Sequence, residues 1–279
     1  MLLEAFNDCS MVYLFQRNLS HLTYSIRTPR FPTILEEKLQ IEPPRFAPLL
    51  RGLTRRLAPP VAFYLALNLL GMAVTPSNNS IDWVTPAGFE HVLVGRVLAS
   101  EAQVFRSYFL DCLFNAIYLL HPLYLAVVLL TLHKRDRNLS QRFGRTSLIL
   151  CVISLAIFLV YPAAPPWLAV GGVENMTMNA MNNFSAYWNL PVTYYNYSPA
   201  IFAATPSLHS ATAWAATLHL RKVGKTHGFA MFLFALGMWV ATVYTGNHFL
   251  IDVVVGVILA TFAYLLTDPS SRLRRVLKR

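Results

Sequence analysis

Charge is scarce in this chain. Asp, Glu, Lys and Arg make up only 13% of its 279 residues, whereas 55% are hydrophobic. Ordinary soluble chains carry roughly 25% charged residues, so a soluble globular domain is excluded. Cysteine is also sparse. Cys9, Cys112 and Cys151 are scattered, two of them in apolar runs, and they form neither a disulfide framework nor a zinc pattern. There is no basic stretch leading into an apolar core at the start, where Glu4 and Asp8 stand, so no cleavable signal peptide is expected. Internal repeats, a second domain and a cluster of metal-ligating residues are likewise missing, and neither a metal nor an organic cofactor is expected. The formal net charge of +10 suggests nucleic acid, but the basic residues sit in loops between apolar runs, as topology determinants do. No nucleic-acid partner is expected.

What is present is a set of apolar runs close to the ~20 residues that cross a bilayer. They predict an all-α, polytopic membrane protein built as a six-transmembrane-helix bundle. The spans fall at about 58–74, 107–132, 146–161, 201–220, 228–245 and 249–266. Residues 1–57 read as a basic cytoplasmic arm, 58–267 as the membrane domain and 268–279 as a basic tail. Between the first two spans lies a polar segment whose part from 87 to 98 has the pattern of a helix lying on the membrane surface. The third span is closed by Pro162-Ala163-Ala164-Pro165-Pro166-Trp167, where three prolines forbid a continuing helix. Residues 168–199 read as a long, nearly uncharged loop carrying the sequons at Asn175, Asn183 and Asn196. Under this plan every Lys and Arg but Arg96 and Arg106 falls on one side of the membrane. The positive-inside rule then puts both termini in the cytoplasm and the polar helix mouths on the extracytoplasmic or lumenal face. The expected location is the cell membrane, or the Golgi membrane in a eukaryote.

Two of those mouths carry chemistry: Ala204-Thr205-Pro206-Ser207-Leu208-His209-Ser210 and Asn247-His248-Phe249-Leu250-Ile251-Asp252. Polar, imidazole-bearing sequence at the opening of a membrane helix is costly and marks a functional site. His248 and Asp252 are four apart, on one helical face, where a carboxylate can orient and charge-stabilise an imidazole. His209 adds a second imidazole from another helix. Two histidines, one backed by an aspartate, suit phosphoryl transfer in which one attacks phosphorus and the other handles the leaving group's proton.

These residues resemble the type 2 phosphatidic acid phosphatase superfamily. Tyr161-Pro162-Ala163-Ala164-Pro165-Pro166-Trp167, then ATPSLHS at 204–210 and TGNHFLID at 245–252, resemble the branch containing fungal inositol phosphorylceramide synthase. Asp111 and His121 match that branch as well. The resemblance implies His248 as nucleophile, Asp252 as the group that holds its ring, and His209 as proton donor and then acceptor. It implies Ser207 as a phosphate-oxygen partner at a helix start, a role compatible with plain N-capping. Pro166 and Trp167 would shape a pocket floor, or Trp167 would anchor at the membrane interface. Asp111 and His121 would form a buried pair or a packing contact.

The wider superfamily has cations in its first motif and a Ser-Arg pair ahead of the second histidine. Here PAAPPW replaces the former, and Ala241 and Thr242 occupy the latter. That argues against a vanadate-type haloperoxidase and fits the inositol-transferring branch. Arg96 and Arg106 remain as phosphate partners, or as ordinary headgroup-level arginines. The resemblance therefore implies a phosphotransferase that moves a phospho-headgroup, phosphoinositol first among them, from a phospholipid donor to a lipid-alcohol acceptor such as ceramide, through a phosphohistidine. The alternatives are a lipid phosphatase on the same scaffold and an inert lipid-binding membrane protein. The sequence says nothing of oligomeric state.

Overall fold

The structure, a computed structural model, describes residues 81–187, 201–271 and Val276. The expected N-terminal arm, first span and most of the basic tail lie outside the described residues. Among the described residues ten helices follow one another: α1 Thr85–Val94, α2 Leu98–Val104, α3 Tyr108–Leu119, α4 His121–Arg135, α5 Arg137–Val160, α6 Pro166–Ala169, α7 Met176–Tyr187, α8 Leu208–Val223, α9 Lys225–Tyr244 and α10 Leu250–Thr267. Among the described residues no strand forms. Two isolated parallel bridges join Asp82 to Ala163 and Ala163 to Ala203.

Helix α8 is the centre of the bundle and packs against α4, α5, α9 and α10. Its sequence explains this. Ala211, Ala213, Ala215 and Ala216 are all buried, and small side chains let neighbouring backbones approach closely. On α10, Gly256 does the same, because a Cβ there would stand 2.6 Å from the Ser207 carbonyl oxygen. The outward faces are apolar. Phe229, Leu233, Leu236 and Val240 on α9, and Val254, Ile258, Phe262 and Leu265 on α10, are exposed at spacings of three and four, a continuous stripe on each helix. Such stripes are expensive in water and are the surface a lipid tail would cover.

Helices α5, α9 and α10 are long and apolar enough to cross a membrane, and the α3–α4 pair reaches that standard when taken together. The described residues thus carry three to four of the six expected spans. The span expected over 107–132 is not one straight helix. It bends by 53° at Leu120, between α3 and α4. Pro122 has no N–H to continue the ladder onto Tyr118, and so a new helix starts there. The surface helix expected over 87–98 is likewise two pieces, because Gly95 ends α1 in the left-handed region at φ 78°. The expected irregular loop over 168–199 contains a twelve-residue helix, α7.

Candidate active site

The polar residues of the two histidine segments meet at one end of α8 and α10. Ser207 caps α8: its Oγ accepts from the Ser210 N–H at 3.3 Å and donates to Ser210 Oγ at 3.1 Å. Asp252 stands in the first turn of α10. Its Oδ2 accepts from the Phe249 N–H at 2.7 Å, which satisfies one of the amides that a helix start leaves unpaired. Its Oδ1 accepts from Thr205 Oγ1 at 2.5 Å, and its backbone carbonyl accepts from the Ser207 N–H at 3.0 Å. Asp252 is completely buried, and it is the residue that fastens the two motifs together.

His248 is held from three directions. Its backbone N–H donates to the Thr242 carbonyl at 3.1 Å, and its Nδ1 lies 2.8 Å from the Ala204 carbonyl oxygen. A carbonyl only accepts, so Nδ1 carries the proton and Nε2 keeps its lone pair. Asp252 Oδ2 lies 3.7 Å from the same Nδ1. The ring's hydrogen bond is made by the Ala204 carbonyl, and the Asp252 carboxylate, expected to hold the ring, stands beside it at ion-pair distance.

His209 faces His248 with ring centroids 6.1 Å apart. It is gripped by rings rather than by hydrogen bonds. Tyr118 stacks on it at 4.1 Å with planes 21° apart, and His121 lies 4.3 Å away. The break between α3 and α4 places Tyr118 and His121 on the same imidazole. Among the described residues nothing hydrogen-bonds to the ring nitrogens of His209. His121 is itself fixed by Thr212, whose Oγ1 lies 3.0 Å from His121 Nε2 and 2.7 Å from the Tyr124 hydroxyl while donating to the Leu208 carbonyl at 2.7 Å.

Asp111 and His121 do not pair. Asp111 Oδ1 accepts from the Tyr244 hydroxyl at 2.5 Å, because Tyr244 at the end of α9 comes alongside α3 nearly three turns before His121. Arg106 is drawn into the same cluster, 2.9 Å from Glu174 Oε2 and 3.6 Å from Asp111 Oδ2. Its charge is thus shared between two carboxylates. Arg96 forms an exposed pair with Glu101 at 3.3 Å. Among the described residues neither arginine makes a hydrogen bond or ion pair with either histidine. Ser207, expected to meet phosphate oxygens, is fully buried, and its hydroxyl lies 3.1 Å from Ser210 Oγ.

The proline-rich segment works as a clamp between loops. The Ala163 N–H donates to the Phe202 carbonyl at 2.9 Å, and Ala163 bridges Asp82 and Ala203, which sets the position of the Ala204 carbonyl used by His248. The Trp167 N–H donates to the Gly246 carbonyl at 3.1 Å, two residues before His248. The Trp167 side chain is half-buried against Ala99, Val173, Val243 and Val253, and Pro166 is buried. Gly246 sits at φ +75°, and a Cβ there would come within 2.5 Å of the Glu174 carbonyl oxygen, so only glycine fits. Asp82 anchors this layer. Burial pushes its carboxyl up, but hydrogen bonds from Tyr161, Thr85 and Val84 outweigh that and lower it to about 2.

Sequence reasoning missed three contributors: the Ala204 carbonyl, Tyr118 and Glu90. Glu90 on α1 is 1% exposed. Its Oε1 accepts from the Leu250 N–H at 2.6 Å and its Oε2 from the Leu98 N–H at 2.9 Å. Burial pushes this carboxyl up, the two N–H groups oppose the shift, and nearby Asp252 adds to it. A carboxylate within a polar segment gives no sequence signal of such a role. Tyr118 was legible in principle, three residues before His121 in an apolar helix.

A model of the PAP2 superfamily matches residues 88–266, and the chain belongs to that superfamily. It is similar to a phosphoinositol dihydroceramide synthase of Bacteroides thetaiotaomicron, with 29% identity over 143 residues covering 47% of each chain. It is also similar to the inositol phosphorylceramide synthase catalytic subunit aur1 of Schizosaccharomyces pombe, with 26% identity over 152 residues, 50% of this chain and 35% of that one. The chain spans less than half the length of these curated relatives. Among solved structures, Aquifex aeolicus LpxE aligns with a TM-score of 0.49 and 17% identity over 61% of this chain and 92% of that one. The chain is an integral membrane protein of the PAP2 superfamily.

Proposed function

We propose that this protein is a membrane phosphotransferase that moves a phospho-headgroup from a glycerophospholipid to a lipid alcohol through a phosphohistidine at His248. The observation that carries the reading is the state of the His248 ring: Nδ1–H is committed to the Ala204 carbonyl at 2.8 Å, so Nε2 is the nitrogen with a lone pair, and the ring centroid lies 6.1 Å from that of His209. In the first half-reaction Nε2 attacks phosphorus, the bond from phosphorus to the lipid alkoxide oxygen breaks, and protonated His209 gives that oxygen its proton. The imidazole turns cationic as the P–N bond forms, and the Asp252 carboxylate 3.7 Å from Nδ1 stabilises that charge. In the second half-reaction His209 takes the proton of the incoming hydroxyl, its oxygen attacks phosphorus, and the P–N bond breaks.

The names of the curated relatives make phosphoinositol the headgroup and a ceramide-type alcohol the acceptor to test first. Purified protein in mixed micelles is given headgroup-labelled phosphatidylinositol with and without ceramide, and lipid and aqueous products are separated. Label moving to a new lipid only in the presence of ceramide is the expected result. Label released to water in both cases would make the protein a lipid phosphatase, and no release at all would overturn the reading for this donor.

The reaction is placed on the extracytoplasmic face, supported by the distribution of Lys and Arg along the chain. Single cysteines at positions 171 and 136, both exposed, in a cysteine-free background report this. A membrane-impermeant maleimide outside intact cells labels 171 alone under this arrangement, and labelling of 136 alone reverses it.

A further inference from the structure

Helix α1 turns most of its surface outward. Phe89, Val92, Leu93 and Val94 are exposed, and Pro86 and Glu90 are its buried residues. Placing a carboxylate on the buried face of a short helix with an apolar outer face reverses the usual pattern, since burying such a group costs several kcal/mol unless it is paired. Here the pairing is with two amides. Leu250 is the first residue of α10 and Leu98 the first of α2, so one carboxylate accepts from two helix starts, where backbone N–H groups are unpaired and the helix dipole favours negative charge.

The location gives this contact its consequence. Leu250 lies between His248 and Asp252. Three successive amides are each held by a different element: His248 by the Thr242 carbonyl of α9, Phe249 by the Asp252 side chain of α10, and Leu250 by Glu90 of α1. We propose that Glu90 is a positioning residue for the His248 nucleophile, clamping the start of α10 so that Nε2 is fixed relative to His209. Glu90 acts through the backbone and touches no reacting atom. Its kinetic consequence rests on the phosphotransfer reading; the clamp itself does not.

Two substitutions weaken the hold on the Leu250 N–H from opposite ends. Glu90→Gln replaces one of the two accepting oxygens by an amide NH2 at nearly constant volume. Leu250→Pro deletes the N–H while leaving Glu90 intact. Proline suits a first helical position, and the preceding residue, Phe249, has the extended backbone (φ −78°, ψ 161°) that proline requires. Leu98→Pro, at the other helix start, removes the bond that does not lead to His248.

The test is hydrogen exchange on the full chain in detergent micelles, read on peptides covering 246–253, alongside headgroup-transfer kinetics. Glu90→Gln and Leu250→Pro are each expected to speed exchange there by about tenfold or more. Each is expected to lower kcat by a similar factor, with KM for the donor lipid held within about twofold, and the double variant should be no worse than either single one. Leu98→Pro should leave exchange at 246–253 as in the wild type. Unchanged exchange in the two clamp variants, additive losses in the double variant, or a loss carried by KM would each overturn the proposal. If the wild type transfers no headgroup, the phosphotransfer reading falls and the exchange data alone decide the clamp.

Discussion

Helix α8 carries a histidine near each end, and the two are treated in opposite ways. His219 is fully buried, with Nδ1 donating to the Ala215 carbonyl at 2.8 Å and Nε2 3.4 Å from Thr146 Oγ1. The cations beside it are paired, since Arg142 lies 3.3 Å and Lys222 3.9 Å from the one Asp268 Oδ2, and Arg142 also covers the Tyr264 ring. Ten residues earlier His209 is half-buried, is packed between Tyr118 and His121, and has ring nitrogens that receive no hydrogen bond among the described residues. Burial of an imidazole in an apolar bundle therefore does not mark function by itself. A ring with both nitrogens engaged is a structural polar group; a ring fixed by its faces, with its nitrogens left available, suits the proton transfer proposed for it.

The most forceful way to break this comparison is to remove each imidazole in turn. His248→Asn keeps a donor near the Nδ1 position for the Ala204 carbonyl but deletes the nucleophilic nitrogen. It should lower turnover on the order of 10³-fold or more with little loss of folded protein. His209→Asn should cost about 10²–10⁴-fold, as expected for a general acid and base. His219→Asn keeps a donor for Ala215 and should change turnover by no more than about threefold, while lowering thermal stability by about 1–3 kcal/mol through the buried Thr146 contact. Steady-state rates and thermal melts in one detergent give all three. A His219→Asn protein as inactive as His209→Asn would erase the distinction between the two ends.

How much of this was readable beforehand depended on the kind of contact. That His209, His248 and Asp252 belong together was legible because polar side chains at two helix mouths stand out in apolar sequence, although His248 precedes α10 and shares no helical face with Asp252. That the ring of His248 is oriented by the Ala204 carbonyl was not, because a backbone acceptor has no sequence signature. The same holds for PAAPPW, which stitches the 202–204 and 246 backbones into place: the Ala163 N–H donates to the Phe202 carbonyl, the Ala163 carbonyl accepts from the Ala204 N–H, and the Trp167 N–H donates to the Gly246 carbonyl. Arg106 was chosen as a phosphate partner by elimination of other cations. Elimination could not foresee Glu174 and Asp111 closing on it, since their approach depends on how α3, α7 and α9 pack. Apolar runs revealed membrane helices well, yet hid the bend at Leu120, where a single proline lets Tyr118 and His121 flank one imidazole.

A smaller effect sharpens the comparison through glycine. Both ends of α8 are approached so closely that a neighbour can have no side chain. A Cβ on Gly256 would lie 2.6 Å from the Ser207 carbonyl oxygen, and one on Gly228 would lie 2.8 Å from the Arg221 Cα. Alanine at either position forces backbone apart and should cost about 1–3 kcal/mol of stability, a similar lowering of the melting temperature in both variants. Their activities should differ. Ser207 precedes Leu208 and His209, and its N–H holds the Asp252 carbonyl at 3.0 Å, so displacing it shifts both catalytic helices at their mouths. Gly256→Ala should therefore lower turnover per folded molecule by about tenfold or more, since a misplacement near 1 Å is worth up to about 10²-fold. Gly228→Ala, at the end that carries the satisfied histidine, should leave it within about twofold. Equal activity losses at equal stability would mean that strain spreads along α8 from either end, and that the two ends are one mechanical unit instead of a catalytic mouth resting on a structural base.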